Sequence, residues 1–182
     1  MTTLTRSKKQ EQQIEVTRLD EVAEGMRQDA VHATIAKLGA PQQEQPWEEL
    51  FKDYHFVARF SANLADGVAE VLTAHEAGIE AIYTFEPSAN PDVETGEYLP
   101  QDTAVHMLCV VEKVSAGLEA FIEALDRALV ESLQALPSAQ YAECGRALDI
   151  LLVTKEDVKQ RRGYAHMLNS IFAPPLKIWG RA

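Results

Sequence analysis

The sequence predicts an α+β fold, a ferredoxin-like βαββαβ antiparallel sheet with N-terminal and C-terminal helical extensions. Three observations predict it. Apolar residues alternate at period two over 54–60 and 79–85, run almost continuously over 103–111, and make another strand at 147–153. Two stretches of helical period lie between them, one with Leu64, Val68, Val71 and Leu72, the other with Leu118, Phe121, Ile122, Leu125, Leu129, Leu133 and Leu136. In chain order these read strand, helix, strand, strand, helix, strand.

Four regions follow. Residues 1–12 are polar and aperiodic and read as a disordered tail. Residues 13–46 form an N-terminal helical extension with Ile14, Leu19, Val22, Met26, Ala30 and Ala33 on its apolar positions, closed by Gly39 and Pro41. Residues 47–154 are the ferredoxin-like domain, and 155–182 a C-terminal helix and tail. Within the domain, Tyr54, Phe56, Ala58 and Phe60 fall on one strand face, and His55, Val57 and Arg59 on the other. Ser61–Asn63 reads as the cap of the first helix, and Gly78 as its left-handed stop. Pro137 ends the second helix. Thr154-Lys155-Glu156-Asp157 is a capping box, so a last helix is expected from there to about Phe172, ahead of Pro174-Pro175. Leu176–Trp179 then reads as a short strand or packed tail.

Residues 86–102 hold Pro87, Pro91, Pro100 and Gly96, with Glu86, Asp92, Glu94, Glu97 and Asp102 and no Lys or Arg. This is a long acidic loop, not a tight hairpin. In topology alone, a βαββαβ unit with a long loop between its second and third strands resembles the PII-type signalling proteins. That resemblance implies trimers that contact partners through the loop. The glycine-rich nucleotide-binding segments of those proteins have no counterpart among these residues.

Composition closes off several functions. The 182 residues are 46% hydrophobic and 25% charged, an ordinary globular mixture. Their 17 Lys+Arg against 28 Asp+Glu give a net charge of −11, which argues against nucleic-acid and anionic-membrane partners. No apolar run is long enough to span a bilayer, and the polar start shows no leader. With Cys109 and Cys144 as its two cysteines, the chain is expected to be cytoplasmic with reduced thiols.

No catalytic residue, cofactor or metal site is expected. Neither G-x-G-x-x-G nor a P-loop occurs, and no serine sits in G-x-S-x-G. His75-Glu76 lacks a second zinc histidine, and His106-x-x-Cys109 in a strand points to opposite faces. Two candidate surfaces remain. His55, Arg59, His106 and Asp149 would form a polar ligand pocket on the second sheet face, since a histidine beside a carboxylate can move protons near neutral pH. Asp92, Glu94 and Glu97 of the loop, with Lys159, Arg161 and Arg162 of the last helix, would contact a protein partner. Charge asymmetry motivates the second: residues 155–182 carry six cations against two acids, net +4, leaving −15 of the total −11 to the rest.

The second face, with Val57, Ile82, Leu108 and Leu151, reads as too apolar to face water. A homo-oligomer whose subunits cover it is therefore expected. The functional expectation is a non-catalytic regulatory or adaptor protein acting through the acidic loop and the basic helix. The alternative is a small dimeric ferredoxin-like enzyme, or a small-molecule sensor, with its pocket on that face.

Overall fold

The computed structural model describes residues 18, 20–28, 47–85, 104–136, 138–171 and 174–181, with Trp47, Glu48, Tyr54, His55, Ala139 and Gln140 described by their backbone alone. Its elements are α1 (20–28), α2 (Trp47–Leu50), α3 (Tyr54–His75), β1 (Ile79–Thr84), β2 (Val105–Val111), α4 (Ala116–Gln134), α5 (Ala139–Ala142), β3 (Leu148–Thr154), α6 (Lys155–Gln160), a 3-10 helix (Gly163–Asn169) and β4 (Leu176–Gly180). The strands form one open mixed sheet in the order β3-β2-β1-β4. β1 runs antiparallel to β2 and to β4, and β2 runs parallel to β3. The class is α+β, as expected, but the order is not βαββαβ.

The difference starts at 54–60, which is the first two turns of α3 and not a strand. Asp53 caps it, its Oδ1 accepting from the Phe56 N–H at 3.4 Å. Phe56, Val57, Phe60, Leu64, Val68, Val71 and Leu72 then make one continuous buried stripe at helical spacing. Ser61–Asn63 is helix interior. With the first strand gone, the topological likeness to PII-type proteins goes too. Nor is Gly78 left-handed: among the described residues positive φ occurs at Arg161 and Gly163.

α4 follows expectation. The Ser115 hydroxyl accepts from the Leu118 N–H at 3.1 Å, and Leu118, Phe121, Leu125, Leu129 and Leu133 are buried. It bridges parallel β2 and β3, a connection that needs a crossover of about this length. Asp126 on its flank accepts from the N–H groups of Ala147 and Leu148 at 2.8 and 2.7 Å, which fixes where β3 begins.

α3 and α4 pack on one sheet face through Ile79, Ile82, Val105, Met107, Cys109, Val111 and Leu148. Phe51, Phe56, Phe60 and Tyr141 close one end of this core with ring centroids 5.2 to 5.8 Å apart. Burial pushes the Tyr141 phenol up to about 12. α1 lies against α4, with Ala23 in the core and Arg127 paired to Asp20 at 2.7 Å.

The last helix is also shorter than expected. Its capping box forms as written, Thr154 Oγ1 accepting from the Asp157 N–H at 3.1 Å and Asp157 Oδ2 accepting from the Thr154 N–H at 2.9 Å. Arg161 (φ 53°) and Gly163 (φ 52°) then break it and turn the chain into the 3-10 helix. That turn lays the segment across the second sheet face. Ala165 enters a core with Ala81, Leu108, Val110 and Val153, flanked by Val158, Met167 and Leu168. Of the four residues expected to form an open patch, Val57 belongs to α3, Ile82 faces the helices, Leu108 is 0% exposed, and Leu151 is half-buried against the same core. The chain's own segment covers this face. β4 then completes the sheet beside β1.

Candidate functional site

The sheet brings two of the four pocket residues together. His106 on β2 and Asp149 on β3 are direct partners in the parallel register, so their side chains leave the same face side by side. His106 Nδ1 and Asp149 Oδ2 are 3.1 Å apart, with the side chains 10% and 30% exposed. Arg146 Nη1 approaches the other carboxylate oxygen, Oδ1, at 3.3 Å. The Phe85 ring lies 5.6 Å from the imidazole, and the Phe85 N–H donates to the His106 carbonyl at 3.3 Å. In a neutral imidazole this arrangement places the proton on Nδ1, donated to Asp149, and leaves Nε2 as the basic nitrogen. That nitrogen is buried, so proton exchange with solvent or a ligand there requires the covering side chains to move.

The other two are elsewhere. Arg59 is exposed on α3, on the opposite side of the sheet. His55 lies in the first turn of α3, and its side chain is outside the described residues. Arg146 and Phe85 are neighbours that sequence reasoning missed. Arg146 stands three positions before Asp149, in a turn with no periodic pattern to place it.

The charged surface around α6 divides in two. Lys155 Nζ is 2.9 Å from Glu80 Oε1, and Arg181 approaches the same oxygen at 3.8 Å. Hydrogen bonding from Lys155 holds the Glu80 carboxyl below the usual range. These cations fasten β1, α6 and the end of β4 to one another. Lys159, Arg161 and Arg162 are different: all three are exposed and none is in a salt bridge among the described residues, although the Arg162 charge helps hold the Asp157 carboxyl below its ordinary value. Arg161 and Arg162 sit at the left-handed turn beside Tyr164, which is 56% exposed. Tyr164 was not foreseen, although it stands two positions after Arg162. Asp92, Glu94 and Glu97 lie outside the described residues.

The cysteines are packing groups. Burial pushes the Cys109 thiol up to about 12, and the buried Cys144 donates its S–H to the Arg146 carbonyl at 3.2 Å. Among the described residues, no three His, Cys, Asp or Glu side chains are grouped to hold a metal, and no helix is long and apolar enough to cross a membrane. No protein-family model, no curated protein and no solved structure matches the chain.

Proposed function

We propose that the protein is a non-catalytic adaptor or regulator that docks an acidic protein segment on the surface formed by Lys159, Arg161, Arg162 and Tyr164. The supporting observation is the composition of that surface: exposed cations outside any described salt bridge, beside a half-exposed tyrosine. Arg and Tyr are the residues that anchor protein interfaces most strongly, and the surrounding −11 chain makes this patch stand out to an anionic partner. The acidic segment 86–102 is the second contact element in this reading.

A synthetic peptide with the sequence of residues 86–102 is the probe. Titrated into the protein and followed by calorimetry at low ionic strength, it is expected to bind. Arg161→Glu with Arg162→Glu should weaken binding at least about tenfold, about 1.4 kcal/mol. Raised salt should do the same. Undetectable binding, or binding indifferent to the charge reversal, overturns the proposal.

A second reading, a small-molecule sensor or enzyme, is favoured by the 3.1 Å His106–Asp149 contact alone. There, His106→Gln would abolish ligand response while leaving peptide binding intact. A native ligand screen showing no compound whose binding depends on His106 would remove it.

A further inference from the structure

Among the described residues the sheet has two edge strands, β4 and β3, and they are finished differently. β4 is blunted. Its register against β1 shifts between Ile82 and Tyr83, and the Lys177 side chain lies over Gly180. A bulge and an edge lysine are standard defences against strand addition. β3 has neither. Its seven residues, LDILLVT, contain no Pro, Gly or Lys, and pair with β2 without a break from Leu148 to Thr154. Ile150, Leu151 and Leu152 are half-buried. The single charge, Asp149, is occupied by His106 and Arg146.

The backbone narrows this further. The Val105 N–H donates to the Ala147 carbonyl at 2.8 Å. Ladder alternation therefore turns Asp149, Leu151 and Val153 toward β2, and Leu148, Ile150, Leu152 and Thr154 outward. The Leu148 N–H is taken by Asp126 and the Thr154 N–H by Asp157. The outward groups of Ile150 and Leu152 remain, and no hydrogen bond to them occurs among the described residues.

We propose that this edge of β3 pairs antiparallel with the same edge of a second copy of the chain, about a twofold axis at Leu151, joining two four-stranded sheets into one. That register sets Ile150 opposite Leu152 of the second copy and Leu152 opposite its Ile150, each pair exchanging both N–H···O=C bonds. Moving the axis to Ile150 or Leu152 would waste a pair on Leu148 or Thr154, whose amides are already taken. The charges agree. The same axis brings exposed Arg146, just before β3, toward exposed Glu156, just after it, in the other copy. An interface of one surface with itself requires such self-complementarity. The inference is independent of the basic docking surface and replaces the second sheet face as the place where copies meet.

Light scattering at micromolar concentration, with residue-level amide exchange, tests it. The expected mass is about 40 kDa, twice the 20.2 kDa chain. The Ile150 and Leu152 amides should exchange at least about tenfold more slowly as concentration rises through the dimerisation range. Ile150→Pro removes an outward N–H and no bond to β2, so it should give a folded 20.2 kDa species. Leu176→Lys, on the blunted edge, should leave the dimer intact. A monomeric wild type overturns the proposal, and so does a dimer whose Ile150 and Leu152 amides exchange freely. Should the proline variant fail to fold, wild-type mass and exchange still decide the matter.

Discussion

Leu108→Ala tests whether the second sheet face is closed within the chain. Leu108 is 0% exposed, and its core neighbours are Ala81, Val110, Val153 and Ala165. Three carbons leave the core, a transfer loss of about 2.4 kcal/mol at about 0.8 per methylene-sized group. Two of the neighbours are alanines with nothing to swing into the gap. A residual cavity of roughly 60 Å³ at about 24 cal/mol per Å³ adds about 1.5 kcal/mol. The expected loss is therefore about 4 kcal/mol, toward the upper end of what buried leucine truncations show. Urea unfolding followed by far-ultraviolet circular dichroism reads it. At a slope of about 2 kcal/mol/M the midpoint falls by about 2 M, with the slope unchanged. Ile171→Ala, at a residue 84% exposed, is the control and should stay within about 0.5 kcal/mol. A loss below about 1 kcal/mol at Leu108 would refute the reasoning, because it would mean that the 3-10 helix does not pack there.

Three further outcomes are expected. Glu80 and Asp157 are both held below their ordinary values, so the unfolded chain binds more protons than the folded one in acid. Their contribution is complete above pH 4.5 and is lost as pH falls through their folded values, and Glu80→Gln should flatten that decline in a pH series of urea midpoints. With Cys109 pushed up to about 12 and Cys144 buried, neither thiol should react with a chromogenic disulfide reagent at pH 8 until the protein unfolds; prompt native-state labelling would contradict this. A double-mutant cycle of His106→Gln and Asp149→Asn should give a coupling of about 1 kcal/mol in urea unfolding, and zero coupling would dissolve the pair.

What the sequence disclosed depended on the length of each pattern. The α4 stripe runs through five turns from a serine cap, and one period fits it. The capping box at Thr154 and the β1 to β3 strands were equally legible. Residues 54–60 span only seven positions, and Phe56 and Phe60 satisfy period two and helical spacing alike. Asp53, the cap, and the continuation into Leu64 decide for helix. At the C-terminal side Gly163 was the available sign that the helix stops early. The cover of the second face centres on Ala165, a small residue flanked by Val158, Met167 and Leu168 in an aperiodic segment, which no pattern marks as core. The His106–Asp149 contact was within reach because both residues open apolar strands. Arg59 left that site when its strand became a helix.

β4 carries a consequence for the order in which the chain acquires its structure. Ala81 pairs with Gly180, and Tyr83 with Lys177, across almost a hundred residues of intervening chain. During synthesis from the N-terminus, β1, β2 and α4 emerge together and can assemble on the ribosome. The second flank of β1 stays bare until residues 176–180 appear, and Leu108 stays wet until the 3-10 helix does. A nascent chain that has emerged as far as about residue 160 would hold a helix-backed sheet with an open hydrogen-bonding edge and an apolar face. Such a species is a natural client for a holding chaperone, and its release should coincide with the emergence of residues 163–180.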